Sequence, residues 1–76
     1  MTATDKELLI DIANTEQERD AYRQISEGFA VLAKLPETTE TQKNAYTLSA
    51  RKYFVLQQGC RDFLARLNKV RTTRGI

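Results

Sequence analysis

The sequence predicts an all-α protein: an antiparallel hairpin of two long helices, completed to a four-helix bundle when two copies associate. Three observations carry this. From Thr41 to Val70 no Pro interrupts the chain, and Tyr46, Ser49, Tyr53, Leu56, Cys60, Phe63, Leu67 and Val70 recur at alternating steps of three and four, which is one helical stripe. A second periodic stretch spans residues 5–34, and the single proline, Pro36, separates the two. The third observation is charge. Residues 1–40 hold four basic and nine acidic residues (−5), whereas residues 41–76 hold eight basic residues against Asp62 alone (+7). Halves of opposite sign favour pairing with each other before any outside ligand.

Taken in order, Thr4-Asp5-Lys6-Glu7 reads as a capping box, followed by Leu8, Leu9, Ile10, Ile12 and Ala13. Asn14 to Asp20 is wholly polar, and apolar spacing resumes at Ala21, Tyr22, Ile25, Phe29, Leu32 and Ala33. Thr15-Glu16-Gln17-Glu18 resembles a second cap, but neither Gly nor Pro occurs between Asn14 and Asp20. A continuous helix over about 5–34 is therefore expected. Leu35-Pro36 ends it, because a residue before proline is pushed out of the α region. The turn covers 35–40, Thr39-Glu40-Thr41-Gln42 caps the next helix, and that helix runs over about 41–70. Residues 71–76 are expected to be a flexible basic tail, and Met1 to Ala3 to fray.

Two such helices joined by so short a turn lie antiparallel. Asp5, Glu7 and Asp11 should then face Arg66, Lys69 and Arg71, pairs that select orientation more than they stabilise. The polar segment Thr15 to Arg19 falls opposite Leu56 and Cys60, so the first helix cannot cover the middle of the second. Leu48, Phe54, Val55 and Leu64 lie off the second helix's stripe, and Leu9, Ile10 and Val31 off the first's. This surplus calls for other chains. A homodimer with its two-fold axis near Leu56 to Cys60 is the economical answer, with Gly59 allowing close approach. The expected contact residues are Val31, Leu48, Tyr53, Phe54, Val55, Leu56, Gly59, Cys60 and Phe63.

No catalytic constellation is visible. The chain has no His, no Trp and one Cys, which excludes an internal disulfide and a zinc site of Cys and His ligands. Cys60 has no imidazole to activate it and reads as a small core hydrophobe. The carboxylate pairs Glu7/Asp11 and Glu16/Asp20 read as a solvated face, and Tyr22, Tyr46 and Tyr53 as packing residues rather than base-stacking platforms. Neither cofactor, metal, small-molecule substrate nor membrane is expected as a partner. With no long apolar run and no signal-like start, the expectation is a soluble cytoplasmic protein.

The expected function is accordingly non-catalytic: a small oligomeric protein–protein interaction module of the adaptor, assembly-factor, chaperone or inhibitor type, working on a larger protein. Two rival classes remain. One is a dimeric nucleic-acid-binding regulator using Arg51, Lys52, Arg61, Arg66, Lys69, Arg71 and Arg74. The other is a structural subunit of a larger assembly.

Overall fold

The computed structural model describes residues 2–76. Two helices, α1 (Ala3–Lys34) and α2 (Glu40–Arg74), pack along their lengths as a hairpin. The rod measures 54 × 14 × 12 Å. Helix α1 runs unbroken through the polar stretch at Asn14, where the Thr15 hydroxyl donates to the Asp11 carbonyl at 2.7 Å instead of starting a new helix. Such back-bonding lets a threonine sit within a helix without leaving its hydroxyl unsatisfied.

Both N-termini are closed by reciprocal caps. In α2 the Thr39 hydroxyl accepts from the Gln42 amide, and Gln42 Oε1 accepts from the Thr39 amide. In α1 the capping residue is Thr2 rather than Thr4, with Asp5 returning the bond, so the helix starts half a turn earlier than its Thr4-to-Glu7 signature suggests. Asp5 serves here because its carboxylate sits three residues after a threonine, which is the geometry the motif requires. Of the residues expected to fray, Thr2 and Ala3 are therefore ordered, and Met1 lies outside the described residues.

The end of α2 departs further from expectation. Residues 71–74 are helical, and Gly75 takes the left-handed conformation (φ 75°) that only glycine adopts freely. The Ile76 amide then donates to the Arg71 carbonyl, the six-to-one bond of a Schellman cap. Ile76 packs against the cluster that Leu8, Ile12 and Leu64 form, and the Arg71 guanidinium Nε donates to the Ile76 carbonyl at 2.8 Å. Residues 71–76 are thus an ordered cap, not a tail. The cause is the pairing of Gly at the helix exit with an apolar residue just beyond it.

The stripe of α2 that faces α1 differs from the expected one. Tyr46, Tyr53, Cys60 and Leu67 face α1, but the alternate positions are filled by Ala50, Gln57 and Leu64. Leu64 is 5% exposed, whereas Leu56, Phe63 and Val70 remain 39%, 46% and 40% exposed. A 3.5-residue repeat can step four-then-three as well as three-then-four. Helix α1 decides between them. Its Leu8 and Ile12 sit where Leu64 can meet them, and its central Thr15 and Glu18 give Leu56 and Phe63 nothing apolar to bury against.

Packing is divided along the rod. At the open end Leu8, Ile12, Leu64, Leu67 and Ile76 form the aliphatic core. Toward the turn Phe29 lies between Tyr46 and Tyr53 with ring centroids 6.1 and 6.0 Å away, and Tyr22 meets Tyr53 at 6.0 Å. Within the aromatic block the Ser26 hydroxyl donates to the Ala50 carbonyl of α2 at 2.8 Å, binding the helices together by a polar contact. Leu64→Ala should cost about 2–5 kcal/mol, as a buried leucine does. Phe63→Ala should cost much less within the isolated hairpin. Thermal melts followed by circular dichroism at low concentration check the difference.

Candidate interaction face

The sequence-predicted contact residues do not form one surface. In α2, positions one residue before those that face α1 lie on one flank, and positions one residue after lie on the other, because each residue turns the helix by about 100°. Lys52, Gly59 and Arg66 occupy the first flank, with Leu56, Phe63 and Val70 between them and the seam. Phe54 and Arg61 occupy the second, and Phe54 is 52% exposed there. Val55, Leu48 and Val31 are exposed on the outer sides of their helices. Tyr53 is half-buried against the α1 aromatics, and Cys60 is buried.

The first flank continues onto α1. A groove of about 430 Å³ is lined by Thr15, Glu18, Tyr22, Val55, Leu56, Gly59, Cys60 and Phe63, so the two helices share it. Seven and fourteen residues beyond Glu18, Ile25 and Leu32 fall on the same side of α1 and are exposed. They line a second groove near the turn with Gly28 and Phe29. A third, at the open end of α2, is lined by Arg66, Lys69, Val70, Thr73 and Arg74. One face of the rod therefore carries Leu56, Phe63, Val70, Ile25 and Leu32 in partial exposure. The opposite face carries mainly Arg23, Glu16, Arg61, Asn68 and Gln58, with Phe54 the large apolar exception.

Charge is arranged less simply than the antiparallel layout suggests. Asp5 meets Arg74 across the open end at 3.6 Å. Among the described residues no bridge joins Asp5, Glu7 or Asp11 to Arg66, Lys69 or Arg71. Arg71 is turned to the Ile76 carbonyl, and the one further bridge is the local Arg19–Asp20 contact at 3.2 Å. Because α2 continues to Arg74, that side chain, rather than Arg71's, meets Asp5. Arg66 and Lys69 share the groove at the open end with Arg74, and Arg61 lies on the other flank of α2. Lys52 rests its ammonium 5.7 Å from the Tyr53 ring centroid.

Cys60 illustrates what this face offers chemically. Burial pushes its thiol above the ordinary value, and the carboxylate of Glu18 adds to the rise, while Arg19 opposes it. A raised pKa holds the sulfur as the weakly nucleophilic thiol. Among the described residues no three His, Cys, Asp or Glu side chains converge in a metal-binding geometry, and no helix is long and apolar enough to cross a membrane. Compared with known protein families, characterised proteins and solved structures, the chain matches none.

The Cys60 thiol should react with an aromatic disulfide reagent at least about tenfold more slowly in the native chain than in denaturant. A thiol whose folded-state pKa is raised supports the fold fully below its unfolded-state pKa. That support is lost as the pH rises through the folded-state value. Cys60→Ala should accordingly flatten the alkaline decline in stability, read from urea melts across that range.

Proposed function

We propose that this chain is a small, non-catalytic helical interaction module that works as an oligomer and offers its remaining surface to a larger protein. The observation that carries this reading is apolar surface outside the intramolecular seam: Leu56, Phe63 and Val70 along one flank of α2, and Ile25 and Leu32 nearer the turn on the same side of α1, stay partly exposed. Monomeric soluble proteins rarely keep contiguous apolar patches of this kind uncovered. A hairpin that buries one seam and leaves a parallel one open is half of a bundle in its packing. An adaptor, assembly factor, chaperone or inhibitor would use such a face in a bundle-completing or helix-in-groove mode.

A second reading, a dimeric regulator gripping nucleic acid, draws on Arg66, Lys69 and Arg74 around the groove at the open end. It is the weaker one, because Arg74 is engaged with Asp5 and Arg61 lies on the other flank of α2. A phosphate-driven contact loses affinity steeply as salt rises. We expect no such salt-dependent binding to DNA or RNA at micromolar chain concentrations in a mobility-shift titration. A structural subunit would use the same apolar face in a contact that does not close.

Phe63→Asp and Leu56→Asp should abolish association while leaving helix content largely intact. Phe54→Asp, on the opposite flank, should leave association through this face unchanged. Light scattering and circular dichroism on the three variants test the reading. Loss of helicity in Phe63→Asp would show that Phe63 is needed within the hairpin, and an unaltered mass in both seam variants would remove the face from the interaction.

A further inference from the structure

Resting on that reading, we infer that a second copy of this chain covers the open apolar surface by packing its α2 in register on α2. In this dimer α1 of each copy lies on the outer flank of the other's α2, and the two-fold axis runs along the rods between the two α2 helices. Area supports a partner of this size. The hairpin exposes 5689 Å² at 8.7 kDa. A compact monomer of that mass exposes about 4,700 Å². The excess, on the order of 1,000 Å², is comparable with the ~800 Å² each partner buries in a standard interface.

The pattern of the face places the axis. Within the hairpin, Tyr22 is level with Tyr53 and Ser26 with Ala50, so residue n of α1 stands level with about residue 76 − n of α2. On α1 the open flank is apolar only toward the turn, at Ile25 and Leu32, and acidic toward the open end, at Glu18, Asp11 and Glu7. On α2 it is apolar next to the seam, at Leu56, Phe63 and Val70, and carries Lys52, Gly59 and Arg66 further out. An axis along the rods preserves height. Passing between the α2 helices, it sets Leu56, Phe63 and Val70 each on its own counterpart in the other copy. The positions further out then meet the second α1. Arg66 lies level with Asp11 and Lys69 with Glu7, while Ala45 and Leu48 lie beside Leu32 and Ile25. A Cβ built on Gly59 meets nothing within 4 Å, which gives the Glu18 turn of that helix room to approach.

Every other placement of the axis loses one of these matches. Midway between α1 and α2, it lays Leu56 on Glu18 and Phe63 on Asp11. Between the two α1 helices, it lays Glu18 on Glu18 and Asp11 on Asp11. A two-fold across the rods reverses height, whatever its centre. Asp11 and Glu7 then reach Arg66 and Lys69 only with a centre near Arg66 or beyond, which carries Ile25, Leu32 and Leu48 past the end of the other rod. A centre near mid-rod keeps the overlap but sets Arg66 on Ile25 and Leu48 on Glu7. Facing opposite charges support an interface, whereas like or unpaired ones oppose it.

Single cysteines placed in a Cys60→Ala background distinguish the arrangements. Leu56→Cys and Val70→Cys, both off the intramolecular seam, are oxidised separately, and the unmodified chain is weighed by light scattering. A mass of two chains, with each variant forming a covalent homodimer by itself, is expected. For α2 helices ~9 Å apart the paired Cα atoms come within about 6 Å, inside disulfide reach. The two positions lie about 21 Å apart along α2. A two-fold across the rods therefore brings no more than one of them onto itself, and the midway axis leaves both out of reach across the bundle diagonal. Crosslinking at one position only, or at neither although the mass is doubled, overturns this arrangement but keeps the oligomer. A single-chain mass at micromolar concentration overturns both.

Discussion

One helix can cover only one seam of its neighbour, and in this molecule α1 is too polar at its centre to cover more. Thr15, Glu18 and Arg19 sit where a leucine would be needed to bury the middle of α2. The hairpin responds by choosing the phase in which Leu64 meets Leu8 and Ile12, and it leaves Leu56, Phe63 and Val70 on the side. Every later property follows from that choice. Among the described residues no side chain is fully sealed, and the grooves gather on the side that carries Leu56, Phe63, Val70, Ile25 and Leu32.

The ends of the helices are better specified than the middle. Thr2 and Thr39 each close an N-terminus with a reciprocal side-chain pair. In the turn, the Thr38 hydroxyl donates to the Leu32 carbonyl at 2.8 Å and the Thr38 amide to the Leu35 carbonyl, which satisfies acceptors the proline turn would otherwise leave open. Gly75 and Ile76 do the same at the far end of α2. These local motifs fix where the helices begin and stop, while the hydrophobic contacts that fix their mutual rotation are few.

That contrast explains what was legible in the sequence. The hairpin follows from Pro36, the absence of breakers on either side and the two periodic stretches. The burial of Cys60 and the stacking of Tyr46 and Tyr53 follow from the repeat, because those positions belong to both phases. Leu64 and Phe63 do not. They are adjacent, both apolar, and separated only by which residues of α1 oppose them, and a single helix's periodicity does not contain that information. The cap at Gly75 was readable from a glycine after a basic last turn. Ile76 was not readable as a core residue, because its contact depends on Leu8 and Ile12 at the other end of the chain. For the interaction face, the residue types were legible and their division between two flanks was not.

The separation of aromatic and aliphatic packing bears on how the rod assembles in time. Phe29 and Tyr46 lie close in sequence across the bend, so bringing them together closes a short loop at small entropic cost. Leu8 and Leu64 are joined through almost the whole chain, and their encounter is favoured only after the intervening turns have formed. Rates should therefore respond to changes in the aromatic trio through the forward step, and to changes in the aliphatic cluster through the reverse one.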